Sequence, residues 1–340
     1  MKGRRIIFSG PNKLAFEDFE VNEKGLGGDD ILVKTHYTLV SSGTDLARFT
    51  NMENDMKYPM EAGYCGMGEV LAVGSNVNDF KKGDLLFSYT HISHKSLAVL
   101  NKNELNLAVP KGMDEREALF TKIASIGITA LRISDLEFGD TVAVIGLGIV
   151  GNMAAQLLNL AGMKVIGVDI SDKRLATAEK CGIKYLINSS KTKNLKDEIV
   201  KLSGGDGVDA AVEATGNPRL FETCCQITRR EGEVILLGTP RGEYNTNVTK
   251  LLNYVHLDWP GSITVKGALE WRYPLKKAIF IRHSIERNCL LIMDLIKSGR
   301  LNVKELMSHV IKPEQLEEAY NGLLNKKEEY TSVVIDWTCS

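Results

Sequence analysis

The sequence has no C-x-x-C pair: its six cysteines, Cys65, Cys181, Cys224, Cys225, Cys289 and Cys339, are scattered over 340 residues. That spacing excludes a four-cysteine structural zinc lobe and fits free thiols in a reducing compartment. Neither sign of charge dominates, with Lys plus Arg at 42, Asp plus Glu at 43 and a formal charge of −1. A nucleic-acid sleeve or a polybasic membrane binder is therefore not expected. A membrane-spanning run is also lacking: the most apolar stretch, residues 142–168, is interrupted by Asn152, Gln156, Asn159 and Lys164. The opening residues, Met1-Lys2-Gly3-Arg4-Arg5-Ile6-Ile7-Phe8, carry basic residues but no long apolar core. No secretory leader is expected, and the expected compartment is the cytoplasm. There is no internal repeat or low-complexity tract.

What is present is an ordinary globular composition, 44% hydrophobic and 25% charged. The length suggests about two domains and a large core that needs no disulfide staples. Residues from about 1 to 115 hold short β-branched runs between Gly, Asn and Asp, such as Ile31-Leu32-Val33, residues 68–74 and Leu85-Leu86-Phe87; this predicts a small β-rich domain. From about 140 to 270 the pattern changes. Thr141-Val142-Ala143-Val144-Ile145 predicts a buried strand. Met153, Ala154, Leu157, Leu158 and Ala161 then mark a helix, and Lys164-Val165-Ile166-Gly167-Val168 a second strand. Further strands are expected at residues 210–213 and 233–237. Strand and helix in alternation predict an α/β fold, a doubly wound parallel sheet with helices on both faces. After about 270, helices are expected from Ile285 to Lys297, ended by Gly299, and after Pro313. Residues 332–336 predict a strand able to return to the first sheet.

The first predicted parallel strand runs into Gly146-Leu147-Gly148-Ile149-Val150-Gly151 and then a helix. The first glycine makes a tight turn, the second admits a pyrophosphate to the backbone, and the third lets helix and strand pack closely. The helix N–H groups then face the phosphates. Asp169 ends the next strand about 20 residues on, where a carboxylate accepts from ribose hydroxyls and repels a 2′-phosphate. NAD(H) is thus expected in preference to NADP(H). Arg174, one helical turn later, can flank the ribose and leaves NADP(H) open. A Gly-rich turn with a capping Asp is the plain alternative.

Three stretches carry a family resemblance: Ser41-Ser42-Gly43-Thr44-Asp45; residues 63–70 with 73–77 and 80–84; and Phe138-Gly139-Asp140 through the glycine loop and Asp169 to residues 178–182. On these the chain resembles the medium-chain dehydrogenase/reductase superfamily, near its polyol-dehydrogenase branch, over essentially its whole length. The resemblance implies a GroES-like β-rich catalytic domain over 1–117, a Rossmann domain over 118–270, and a return to the catalytic domain over 271–340. The active site would lie in the cleft between them. It also implies that residues 213–216 and 237–240, with Ala214, Thr215, Gly238 and Thr239, line the nicotinamide half. The last Rossmann strand would fall within 261–267 and pair across a homodimer or homotetramer axis.

Zinc members of that family place Cys where Ser42 stands and His-Glu where Tyr64 and Cys65 stand. A further Cys, Asp or Glu falls near Lys122 or Ser125. Hydroxyls and an ammonium are poor zinc ligands, so no zinc is expected. A substitute site from Cys65, His91 and His94 needs a turn, because residues three apart on an extended segment point to opposite faces. Cys65 is more simply a core thiol.

Without a metal, other groups must manage the proton and the charge on the substrate oxygen. Lys122 in a cleft can serve as base or acid, or else as a structural ion-pair partner. Tyr64 can donate to the oxygen, or be a packed aromatic. Thr44 can relay the proton, or cap the following turn. His91 or His94 can complete the relay, or be structural; Asp45 reads as structural. Trp271 and Arg272 would face the cleft and suit an oxygenated or anionic substrate. Three functions are consistent with this. The first is an NAD(H)-dependent, zinc-independent oxidoreductase for a secondary alcohol (polyol, sugar or cyclitol-like) and its ketone. The second is a zinc-free reductase of enone or quinone C=C bonds, which Asp169 and Thr44 speak against. The third is an inactive NAD(H)-binding sensor.

Overall fold

The computed structural model describes residues 1–52, 56–257 and 261–339. Its centre is a sheet of six parallel strands in the spatial order Tyr185–Asn188, Lys164–Asp169, Thr141–Ile145, Val208–Glu213, Thr228–Leu236 and Thr264–Gly267. The order reverses direction at Thr141–Ile145, and the carboxyl ends beside that switch point form a crevice suited to a ligand. Every residue of Thr141–Ile145 is buried, which explains its unbroken apolar run: helices cover both faces. On one face, the helix Ile149–Leu160 packs Met153, Ala154, Leu157 and Leu158 inward, all at or below 3% exposure.

The second sheet has seven strands and is mainly antiparallel. Its longest strand, Asp30–Val40, pairs with Gly66–Val73 on one side and Val333–Asp336 on the other. The register Val333↔Val40 to Asp336↔Tyr37 brings residues 333–336 back onto the β-rich sheet of the N-terminal part, the return expected for residues 332–336. The predicted helix Ile285–Lys297 forms with those bounds. Ser284 accepts the Arg287 N–H at 3.1 Å to start it, and Gly299 follows its end at φ +71°.

An apolar cluster joins the seven-stranded sheet to the helix Ile149–Leu160 that covers the parallel sheet. It holds Cys65, Met67, Phe87 and Tyr89 from the β-rich part, Phe120, Ile123 and Ile128 from the helix Phe120–Ile133, and Ile149 and Met153 beside the glycine loop. The helix Phe120–Ile133 therefore sits between the two layers and carries side chains from one to the other. Among the described residues, no helix is long and apolar enough to cross a membrane.

Candidate active site

The glycine loop has the geometry its spacing predicts. Gly146 adopts φ +92°, and a Cβ there would meet Thr215 Cγ2 at 2.4 Å. A Cβ on Gly151 would lie 1.9 Å from the Gly146 carbonyl oxygen, so only glycine allows helix and strand to approach this closely. Gly148 has nothing within 4 Å of where its Cβ would be, which leaves the space a pyrophosphate needs. Gly148 immediately precedes the helix Ile149–Leu160, whose first N–H groups face this space. Asp169 is buried. Its Oδ2 accepts the Leu147 N–H at 2.8 Å and its Oδ1 the Ser171 N–H at 2.9 Å. Arg174 Nη1 stands 3.7 Å from Asp169 Oδ2. The residues thus fit a dinucleotide, with an acid at the ribose position and a guanidinium beside it.

At the switch point lies a cleft of about 780 Å³. Ile149 and Val150 line it, as do Ala214, Thr215, Gly238 and Thr239, the residues expected at the nicotinamide half. Ser42, Thr44, Tyr64, His91 and Lys122 line the same cleft. Five side chains singled out in the sequence therefore meet in one space, although they span residues 42 to 122.

Lys122 is 1% exposed, and its ammonium is held by Glu270 Oε1 at 2.9 Å. Nζ lies 3.7 Å from the Tyr89 ring centroid, 5.1 Å from Trp271 and 5.6 Å from Tyr64, so aromatic faces surround the charge. Lys122 is an ion-paired group as well as a cleft-lining one. Burial, reinforced by the Asp45 carboxylate, pushes the Tyr64 phenol well above its usual range, so it remains a neutral donor. Ser41 and Thr44 stand within hydrogen-bonding reach of that phenol. Thr44 opens the helix Thr44–Phe49 without a side-chain capping bond, so the capping role does not hold.

Two expectations are corrected. His94 does not line the cleft: it is fully buried, with Nδ1 2.9 Å from Thr38 Oγ1 and Nε2 3.9 Å from Asp45 Oδ2. Burial depresses its pKa to about 3, so it is a neutral structural group and not a relay. Of the two histidines, only His91 lines the cleft. Arg272 also turns away and donates to the Gly267 carbonyl at 3.0 Å, while Trp271 lines the cleft. Sequence reasoning passed over Glu270, Tyr89, Arg48 and Arg241. Of these, Arg48, Arg241 and Glu270 line the cleft, and Tyr89 stands beneath the lysine.

The donor set does not fit zinc. Ser42, Tyr64 and Lys122 are hydroxyl, phenol and ammonium, and the Cys65 thiol faces the Leu119 carbonyl at 3.7 Å, its pKa raised to about 12 by burial. Among the described residues, no group of three or more His, Cys, Asp or Glu side chains is arranged to hold a metal ion.

Comparison with known proteins agrees with this architecture. Residues 27–116 match the alcohol dehydrogenase GroES-like domain, and residues 150–278 match the zinc-binding dehydrogenase domain. The chain is 25% identical over 340 residues to sorbitol dehydrogenase from Bacillus subtilis, covering 90% of each. It is 26% identical over 357 residues to L-threonine 3-dehydrogenase from Vibrio parahaemolyticus, covering 94% of each. The structure of galactitol-1-phosphate dehydrogenase from Escherichia coli shares the fold, with a TM-score of 0.82 at 18% identity, covering 98% of this chain and 99% of that one. With these two domains matched over more than half its length, the chain belongs to the medium-chain dehydrogenase/reductase superfamily.

Proposed function

We propose that the protein is an NAD(H)-dependent oxidoreductase that moves hydride between a secondary alcohol, of polyol, sugar or cyclitol type, and its ketone, without zinc. The observation that carries this reading is the convergence of Thr44, Tyr64 and Lys122 on one cleft that Ala214, Thr215, Gly238 and Thr239 also line, residues we read as the nicotinamide half. By name, the sorbitol, threonine and galactitol-1-phosphate relatives act on compounds bearing hydroxyl groups, which supports the substrate class.

When bound, the nicotinamide supplies or accepts the hydride. The loop N–H groups after Gly146 and Gly148 hold the pyrophosphate, and Asp169 holds the ribose hydroxyls. NAD(H) is preferred, and Arg174 leaves NADP(H) open. Tyr64 donates a hydrogen bond to the substrate oxygen. Lys122 gives that oxygen a proton in reduction or receives it in oxidation, and Thr44 links the site to solvent on the His91 side. By the family resemblance, Ser42, Tyr64 and either Lys122 or Ser125 fall where zinc members carry metal ligands, and in this reading positive charge and donors come from the chain itself. The domain limits 1–117, 118–270 and 271–340 and a cytoplasmic location are part of this reading. So is a homodimer or homotetramer, which the exposed Val265 on the edge strand Thr264–Gly267 supports.

The test is a fluorescence titration with NADH and NADPH, followed by a panel of secondary alcohols, ketones and one enone. Turnover of an alcohol–ketone pair is expected. Turnover of the enone alone would replace this reading with C=C reduction, and cofactor binding without any turnover would replace it with a sensor.

A further inference from the structure

We infer that Glu270 is the positioning residue for Lys122 and holds its ammonium where it meets the substrate oxygen, an inference that rests on the alcohol-and-ketone reading above. A buried ammonium is costly to keep unless a carboxylate or other acceptor compensates it. Lys122, on the helix Phe120–Ile133, meets that requirement through Glu270, on the turn Glu270–Arg272, 148 residues away. Glu270 is itself buried, at 8% exposure, and both residues line the cleft.

An ammonium has three N–H bonds to direct. One goes to Glu270 Oε1 at 2.9 Å. The face of Tyr89, 3.7 Å from Nζ, takes another direction, while the rings of Trp271 and Tyr64 stand farther off, at 5.1 and 5.6 Å. Among the described residues no second hydrogen-bonding oxygen meets Nζ, which leaves donor capacity for a group that enters the cleft. Glu270 thus fixes both where the ammonium stands and the direction in which its remaining N–H points.

In ketone reduction the carbonyl oxygen accepts this N–H. A bound reduced dinucleotide would supply the hydride to the carbonyl carbon; the π pair would move onto oxygen, and the Lys122 N–H bond would break as the O–H bond forms. Lys122 then regains a proton from water through the Thr44 side of the cleft. Oxidation runs the same steps backward, with the alcohol proton passing to solvent and hydride to the oxidised dinucleotide. Until that transfer is complete, the ammonium offsets the negative charge developing on the oxygen.

The experiment compares wild type with Glu270→Gln, Lys122→Met, Lys122→Glu and the charge-swapped double variant K122E/E270K. Readouts are kcat, KM, the NADH dissociation constant and the thermal midpoint of the cofactor-free protein. E270Q is expected to lower kcat at least about tenfold while the NADH dissociation constant stays within about twofold. The swapped pair is expected to recover much of the thermal midpoint lost in K122E yet to turn over no faster than K122M, because a carboxylate now faces the oxygen. Recovery of both stability and turnover by the swap would show the pair to be structural only and overturn the inference. An E270Q enzyme as fast as wild type would overturn it too, and that isosteric change keeps the question decidable should K122E not fold. Wild type that reduces no ketone would defeat the functional reading before any variant is compared.

Discussion

Asp45 accepts the Ser41 backbone N–H through Oδ2 at 2.8 Å, in a setting where both Asp45 and the nearby His94 are fully buried. This bond closes the turn that carries Ser42, Gly43 and Thr44 into the cleft. It explains how a short polar stretch after a strand holds a fixed shape beside the reacting oxygen.

Replacing Asp45 by Ala leaves the Ser41 N–H without its acceptor in a buried place, at a cost of about 1–3 kcal/mol. Urea unfolding should show that loss. At temperatures well below the midpoint, kcat should fall with the NADH dissociation constant little changed, because the turn lies on the substrate side. A loss of cofactor affinity with kcat intact would contradict this placement.

His94 gives the stability a defined pH dependence. The unfolded chain takes up its proton near the ordinary value of 6.5, whereas burial holds the folded group down to about 3. Its full contribution is therefore present above 6.5 and is lost progressively as the pH falls toward 3. The loss is at most about 1.4 kcal/mol for each pH unit within that window. Urea midpoints at pH 7.5, 6 and 5 should fall more steeply for wild type than for His94→Gln. Parallel curves would show that the histidine is not buried neutral.

The two later glycines of the dinucleotide loop should separate folding from binding. Gly151→Ala drives a Cβ to 1.9 Å from the Gly146 oxygen, so stability should drop by about 1–3 kcal/mol. Gly148→Ala meets no protein atom within 4 Å and should melt close to wild type, yet its methyl group stands where the pyrophosphate approaches. NADH titration should show at least about tenfold weaker binding. Equal effects of the two changes on melting would contradict the account.

Asp169→Ala removes the proposed ribose acceptor and also frees Arg174, now 3.7 Å from the carboxylate. NADH affinity should fall roughly ten- to hundredfold, the range for hydrogen bonds to a charged group. NADPH should lose less, so the ratio of the two dissociation constants narrows. An unchanged ratio would mean that Asp169 only ties Leu147 and Ser171 together.

The parts legible in the sequence are those whose signals are local. The unbroken run Thr141–Ile145, the glycine spacing after it and the acid at Asp169 lie within about 30 residues, the length of one βαβ unit. The strand Val333–Asp336 declares itself by its short apolar run, although its partner Asp30–Val40 lies some 300 residues earlier. Side-chain partnerships across such distances are different. Nothing around Glu270 marks it as the counter-charge of Lys122. The one available clue was that a lysine inside an apolar helix demands an acid somewhere. The spacing of His91 and His94 implied opposite faces but not which face was the interior. Arg272 illustrates the same limit, since its neighbour Trp271 faces the cleft and it does not.

The most direct test joins elemental analysis to turnover. Protein purified without added metal is assayed on its best alcohol or ketone before and after prolonged chelation. The account predicts less than one tenth of an equivalent of zinc per chain and full activity after chelation. A stoichiometric transition metal, together with activity lost to the chelator and restored by Zn²⁺, would contradict it.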